Sequence, residues 1–194
     1  MIAVINYGAG NVASVANALA ELKQDYIITD NEFEICDANK VIFPGVGEAS
    51  FAVKQLHKLN LFTVLRIVKK PMLGICLGLQ LMVDFSEEGN VTCLGIFPGR
   101  SIKFDNKLVK VPHMGWNSME IVKDSKLFNG IKNGERFYFA HSYYLPETEY
   151  TTALSNNNVK FTAAMEKNNY YGVQFHPEKS GDAGLQLIKN FVML

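Results

Sequence analysis

The chain has 194 residues, 48% hydrophobic and 20% charged, and its 19 Lys and Arg side chains balance 19 Asp and Glu. That length and mix suit one domain, residues 1–194, with a core large enough to fold without disulfide or metal staples. The even charge excludes the basic footprint that nucleic acid or an anionic membrane surface requires, and the longest uncharged apolar stretch, Met72 to Val83, falls short of the ~18–20 residues of a bilayer span.

In chain order, Ile2 to Asn6 reads as a buried strand, Gly8-Ala9-Gly10-Asn11 as a turn, and Val12 to Leu22 as an amphipathic helix. Tyr26 to Thr29 and Val41 to Phe43 are further strands. The second ends at Pro44-Gly45-Val46-Gly47, after which Ala49 to Lys69 carries apolar residues at helical spacing until Pro71. Met72 to Ile75 is a short apolar strand, and Leu77 to Phe85 resumes a helix. Three strand–helix alternations predict a parallel sheet with helices on both faces. From Leu94 onward the runs are β-rich: 101–104, 107–111, 117–122, 136–145, 151–154, 161–166 and 170–175, with a closing helix over 182–192. The expected class is α/β, an open, mixed, largely parallel sheet flanked by helices. Three cysteines, Cys36, Cys76 and Cys93, are too few and too irregularly placed for a disulfide framework, so reduced thiols and a cytoplasmic location are expected.

Between the strand ending at Ile75 and the following helix stands Gly74-Ile75-Cys76-Leu77-Gly78, a thiol version of the nucleophile elbow. Small residues two places either side let a sharp turn project the nucleophile above the strand ends. Free N–H groups at the start of the helix favour thiolate over thiol. Near the C-terminus, Gln174-Phe175-His176-Pro177-Glu178 ends an apolar strand. There His176 can act as base and Glu178 as the carboxylate that orients it. The ends of neighbouring parallel strands share one crevice, which would bring His176 to Cys76. Oxyanion donors are offered by the Leu77 N–H and by the turn containing Val46 and Gly47. The Gly8-Ala9-Gly10 turn half-matches a dinucleotide fingerprint, but Ala13 occupies the third glycine position and no acidic strand end follows, which argues against a nucleotide. His57, His113 and His141 lack ligand spacing with one another, so neither a metal nor another cofactor is expected.

Gly74 to Gln80 together with Gln174 to Glu178 resembles the class I, triad-type glutamine amidotransferases, and the likeness runs along almost the whole chain. Pro112-His113-Met114-Gly115-Trp116-Asn117, Phe139 to Tyr144 and Phe175 to Ser180 further resemble the glutaminase subunits of imidazole glycerol phosphate synthases. The resemblance implies that Cys76 is the nucleophile, His176 the base and then acid, and Glu178 its orienter. It implies that Gln80 and Glu88 hold L-glutamine, that the backbone at His141, Ser142 and Tyr143 takes its α-carboxylate, and that Gly45, Val46 and Gly47 match an oxyanion strand of the kind that in relatives reorients before it serves. It implies a heterodimer with a HisF-type (β/α)8 cyclase that receives the ammonia, faced by Asn11, Met114, Trp116, Tyr138 and Lys179. The chain departs from the usual pattern at Ala9, at Leu79 and in a shortened Asn90 to Lys110 segment. Three other readings stay open at this stage: a paralogous subunit that amidates a surface sugar, an elbow-cysteine stress protein of the DJ-1 type, and an interaction subunit without catalysis.

Overall fold

Aliphatic runs that bury both faces build the centre of an eight-stranded sheet. The computed structural model describes all of residues 1–194. The first part of the chain alternates β1 (Ile2–Ile5), α1 (Val12–Glu21), β2 (Tyr26–Thr29), α2 (Glu32–Asp37), β3 (Lys40–Gly45), α3 (Ala49–Lys58), α4 (Leu61–Ile67), β4 (Met72–Cys76) and α5 (Leu77–Leu81). The second part is mostly strand: β5 (Phe85–Ser86), β6 (Val91–Thr92), β7 (Arg100–Lys103), β8 (His113–Ser118), β9 (Glu120–Ile121), β10 (Arg136–His141), β11 (Tyr143–Tyr144), β12 (Thr151–Asn156), β13 (Lys160–Lys167) and β14 (Tyr170–Val173), closed by α6 (Gly181–Met193).

The main sheet runs β2-β1-β3-β4-β14-β13-β12-β9. Its first five strands are mutually parallel and the last three pair antiparallel, which is the mixed sheet expected from the sequence. Because side chains alternate along a strand, Ala3, Ile5, Val41 and Phe43 enter the core on one face of the sheet, and Ile2, Val4, Ile42 and Leu73 enter the core on the other. Helix α6 presents Gly184, Leu187, Ile188 and Phe191 inward, the i, i+3, i+4, i+7 stripe of a helix with one buried face. Each fully buried aliphatic side chain there contributes on the order of 1.5–3 kcal/mol. Two small sheets lie beside the main one: β10 paired with β8, and β11-β7-β5-β6.

Several elements differ from the sequence expectation. The helix after Cys76 stops at Leu81 instead of Phe85. The carbonyls that would carry it on are taken by the 94–97 segment: Leu94 N–H donates to Leu81, Gly95 to Val83, and Ile96 and Phe97 both to Met82. The expected long helix from Ala49 breaks at Leu59 and Asn60, where Asn60 takes a left-handed φ of 58°, a conformation asparagine tolerates. Residues 107–111 form a turn and not a strand, because the Asp105 carbonyl and carboxylate accept from the N–H groups of Leu108, Val109 and Lys107. The run 136–145 is interrupted at Ser142, splitting β10 from β11. Helix α2 was not expected. Asn31 starts it by accepting from the N–H groups of Phe33 and Glu34.

Candidate active site

The carboxyl ends of β3, β4 and β14 lie side by side. Gly45 is the register partner of Cys76, and Val173 is that of Ile75, so the next residues of β14 continue past the sulfur. Cys76 has φ 53° and ψ −108°, a conformation that non-glycine residues avoid and that functional sites sustain at a cost of order 1–3 kcal/mol. The surrounding backbone enforces it. A Cβ on Gly78 would overlap the Phe43 carbonyl, and one on Gly74 would overlap the Met82 sulfur. Both elbow glycines are therefore required by close approach.

His176 and Glu178 follow β14 directly. The His176 Nδ1–H donates to Glu178 Oε1 at 2.8 Å, with both side chains almost fully buried. Ser180 Oγ donates to the His176 carbonyl at 2.6 Å and accepts from the Tyr138 N–H at 3.0 Å, while the His176 N–H donates to the Tyr138 carbonyl at 2.8 Å. The ring is thus fixed from its own backbone outward. Burial works against the charged imidazole, but hydrogen bonding to Cys76 and Glu178, and the charges of both, outweigh burial and push His176 up to about 10. His176 shares a cavity wall with the Cys76 sulfur, and when protonated its imidazole can give a proton to a leaving amine. The thiol's other polar neighbours are the Ala140 carbonyl at 3.8 Å and the Gln174 side-chain amide, which donates to sulfur at 3.7 Å.

Above the sulfur opens a cavity of about 290 Å³. Of the residues singled out in the sequence, it is lined by Cys76, His176, Val46, Gly47, Leu77, Gln80, Glu88, His141, Ser142, Tyr143, Met114 and Lys179. Glu178 stands behind His176. Gly45 is buried in the sheet against Gly78 and Leu77, off the cavity wall. The Val46 N–H is engaged, donating to the Ala9 carbonyl at 3.2 Å, so it is turned away from the sulfur in this conformation. Glu88 is half-buried and its Oε2 accepts from the Ala49 N–H at 2.9 Å at the start of α3. Burial, opposed by that bond and joined by the Glu48 charge, raises its pKa. Gln80 donates from Nε2 to both the Tyr143 carbonyl at 2.8 Å and Gln174 Oε1 at 3.0 Å.

Asn11, Trp116 and Tyr138 lie outside the cavity. Trp116 is 49% exposed and meets Tyr138 edge-on at 6.3 Å. Trp116 stands two residues beyond Met114 on β8, and Met114, 63% exposed, and Val46 are exposed apolar members of the cavity lining. The sequence reading missed four contributors: Gln174, Ser180, His113 and Tyr7. Gln174 and Ser180 flank His176 in sequence, and a polar Gln174 within the otherwise apolar run 171–175 was the available signal. Tyr7 packs against Gly45, and burial, with the charge of Cys76 second, pushes its phenol well above the ordinary range. No group of three or more His, Cys, Asp or Glu is placed to hold a metal ion, and no helix is long and apolar enough to cross a membrane.

Residues 3–194 match the family model described as glutamine amidotransferase class-I. The chain is 48% identical over 195 residues to the imidazole glycerol phosphate synthase subunit HisH of Bacteroides fragilis strain YCH46, covering 100% of this chain and 99% of the relative. It is 45% identical over 195 residues to the protein of the same name from Buchnera aphidicola of Schizaphis graminum, covering 98% of each. Among solved structures, one described as glutamine amidotransferase superimposes with a TM-score of 0.75 at 14% identity, covering 100% of this chain and 98% of the other, a likeness of fold alone. The shortened 90–110 segment does not set the chain apart from relatives that match it end to end, and the stress-protein and noncatalytic readings give way to theirs. The chain belongs to the class I glutamine amidotransferases and, within them, to the HisH family, and it is a glutamine amidotransferase of histidine biosynthesis.

Proposed function

We propose that residues 1–194 act as a single glutaminase domain in which Cys76, His176 and Glu178 hydrolyse L-glutamine, and that the ammonia passes to a HisF-type (β/α)8 cyclase bound as a heterodimer. The observation that supports this reading is geometric: Cys76 and His176 line the same cavity, and Glu178 holds the imidazole from behind at 2.8 Å.

The thiolate of Cys76 attacks the side-chain amide carbon. The carbonyl oxygen becomes an oxyanion beside the Leu77 N–H, and collapse expels ammonia with the proton that His176 held. Water then attacks the γ-glutamyl thioester, giving its proton back to His176, and glutamate leaves. Glu88 carries the carboxylate for the α-ammonium of glutamine, while His141, Ser142 and Tyr143 supply the wall for its α-carboxylate. A second oxyanion donor requires the Val46–Gly47 strand to release the Ala9 carbonyl, which makes hydrolysis slow until the strand turns. Ammonia set free in water would be protonated and lose its nucleophilicity, so a partner that seals the cavity preserves it. The exposed apolar side chains of Met114, Trp116 and Val46 suit such a seal, with Asn11, Tyr138 and Lys179 around it. Free thiols at Cys36, Cys76 and Cys93 fit a reducing cytoplasm.

The test is glutamate release from glutamine by the chain alone, with the cyclase, and with the cyclase plus its phosphorylated substrate. Weak, stronger and strongest release are expected in that order, with none in Cys76→Ala. Release that persists in Cys76→Ala overturns the assignment.

A further inference from the structure

His113 and His141 face each other across the β8–β10 ladder, and their rings are joined, His113 Nδ1 to His141 Nε2 at 3.0 Å. Both ends of this pair are pinned by groups whose donor or acceptor character is fixed. At one end, His141 Nδ1 lies 2.8 Å from the Tyr143 carbonyl, which can only accept. At the other, Asn117 Oδ1 accepts from the Ser118 N–H at 2.8 Å and Asn117 Nδ2 donates to the Asn156 carbonyl at 2.9 Å. Its amide orientation is thereby set, and Nδ2 is the atom presented to His113 Nε2 at 3.3 Å.

Only one proton arrangement satisfies every bond. His141 carries its proton on Nδ1, which leaves Nε2 to accept; His113 carries its proton on Nδ1 to supply that bond, which leaves its own Nε2 to accept from Asn117. Both rings are neutral Nδ1–H tautomers, and a third proton on either would set donor against donor. Burial is the main cause that lowers the proton affinity of both rings, to about 3 for His141, where the Tyr143 bond opposes it and the charges of His113 and His176 add to it.

The Tyr143 carbonyl also receives Gln80 Nε2 at 2.8 Å, and this fixes a second arm. Gln80 shares that same amide nitrogen with Gln174 Oε1 at 3.0 Å, so Gln174 must turn its own Nε2 toward the Cys76 sulfur, 3.7 Å away. We propose that the His113–His141 pair is a positioning device for glutamine hydrolysis, fixing the Tyr143 carbonyl and, through Gln80 and Gln174, the amide donor that faces the nucleophile. This deepens the reading of the cavity as a glutaminase site and rests on it for its consequence in catalysis.

The test uses the full chain in complex with its cyclase. Imidazole 15N NMR reads the tautomers without any turnover: both rings are expected as neutral Nδ1–H forms from about pH 6 to 9, and an Nε2–H form or a titration near ~6.5 in either ring overturns the proposal. His141→Phe and His113→Phe keep ring volume and remove the donors. In each, kcat/KM for glutamine is expected to fall about tenfold, the scale of one lost hydrogen bond, and the rate at which iodoacetamide alkylates Cys76 to change about threefold or more. His141→Asn, whose amide nitrogen can stand where Nδ1 stood, should restore both. Alkylation unchanged in both Phe variants overturns the proposal, and so does failure of Asn to rescue. If the wild-type complex releases no glutamate, the glutaminase reading fails separately, while tautomers and alkylation still decide the pair.

Discussion

At the scale of residues, the site rests on one buried couple and on the polar atoms that aim it. His176 binds its proton more tightly in the folded chain than in the unfolded one, because the gain from Cys76 and Glu178 exceeds the burial penalty. Its stabilising contribution is therefore complete below the unfolded value near ~6.5 and is lost as the pH rises through about 10. Glu178→Gln removes part of that contribution, so the gap in Tm between wild type and this variant should be widest at about pH 6.5 and just below and should close as the pH rises through about 10. Thermal unfolding across that range measures it, and a gap independent of pH would contradict the paired imidazolium. Cys76, His176 and Glu178 were legible in the sequence as candidates because chemistry demands particular residue types next to a turn or strand end. His113, His141 and Gln174 were not legible as a network. His113 and His141 are 28 positions apart and meet only through a ladder register, and the direction of a buried amide depends on what surrounds it in space.

At the scale of elements, the elbow depends on how closely α5 can approach β3. A methyl group at residue 78 would collide with the Phe43 carbonyl, a backbone atom that cannot swing aside. Gly78→Ala should therefore cost about 3 kcal/mol or more in urea unfolding, well beyond the ordinary effect of a surface helix substitution. A cost below about 1 kcal/mol would mean that the approach is looser than described. The parallel half of the sheet was readable from apolar runs bounded by Gly and Pro. Helix lengths were read less well, since the end of α5 is set by residues 94–97 capturing its carbonyls and the break before α4 by a single left-handed Asn60. Neither influence has a signature in helical periodicity. Helix α2 was missed for the opposite reason: it spans only six residues, too short for a periodic stripe, and its signal was the Asn31 cap alone.

At the scale of the whole molecule, the two core layers hold the ends of β3, β4 and β14 at one edge, and the β8–β10 ribbon carries the exposed Met114 and Trp116. Trp116 is half-exposed and its ring meets Tyr138 edge-on. Trp116→Ala should then leave urea stability within about 0.5 kcal/mol and weaken cyclase binding about thirtyfold, the loss expected of a central aromatic anchor. Calorimetric titration of the two subunits tests it, and unchanged affinity would place the partner elsewhere. The proposed hydrolysis turns on sulfur forming a bond to substrate carbon. The most direct measurement is rapid acid quench of the complex during glutamine turnover, followed by peptide mass spectrometry. The predicted result is a γ-glutamyl adduct on the peptide bearing Cys76 and on neither Cys36 nor Cys93; glutamate produced at full rate with no adduct on Cys76 at any quench time would contradict it.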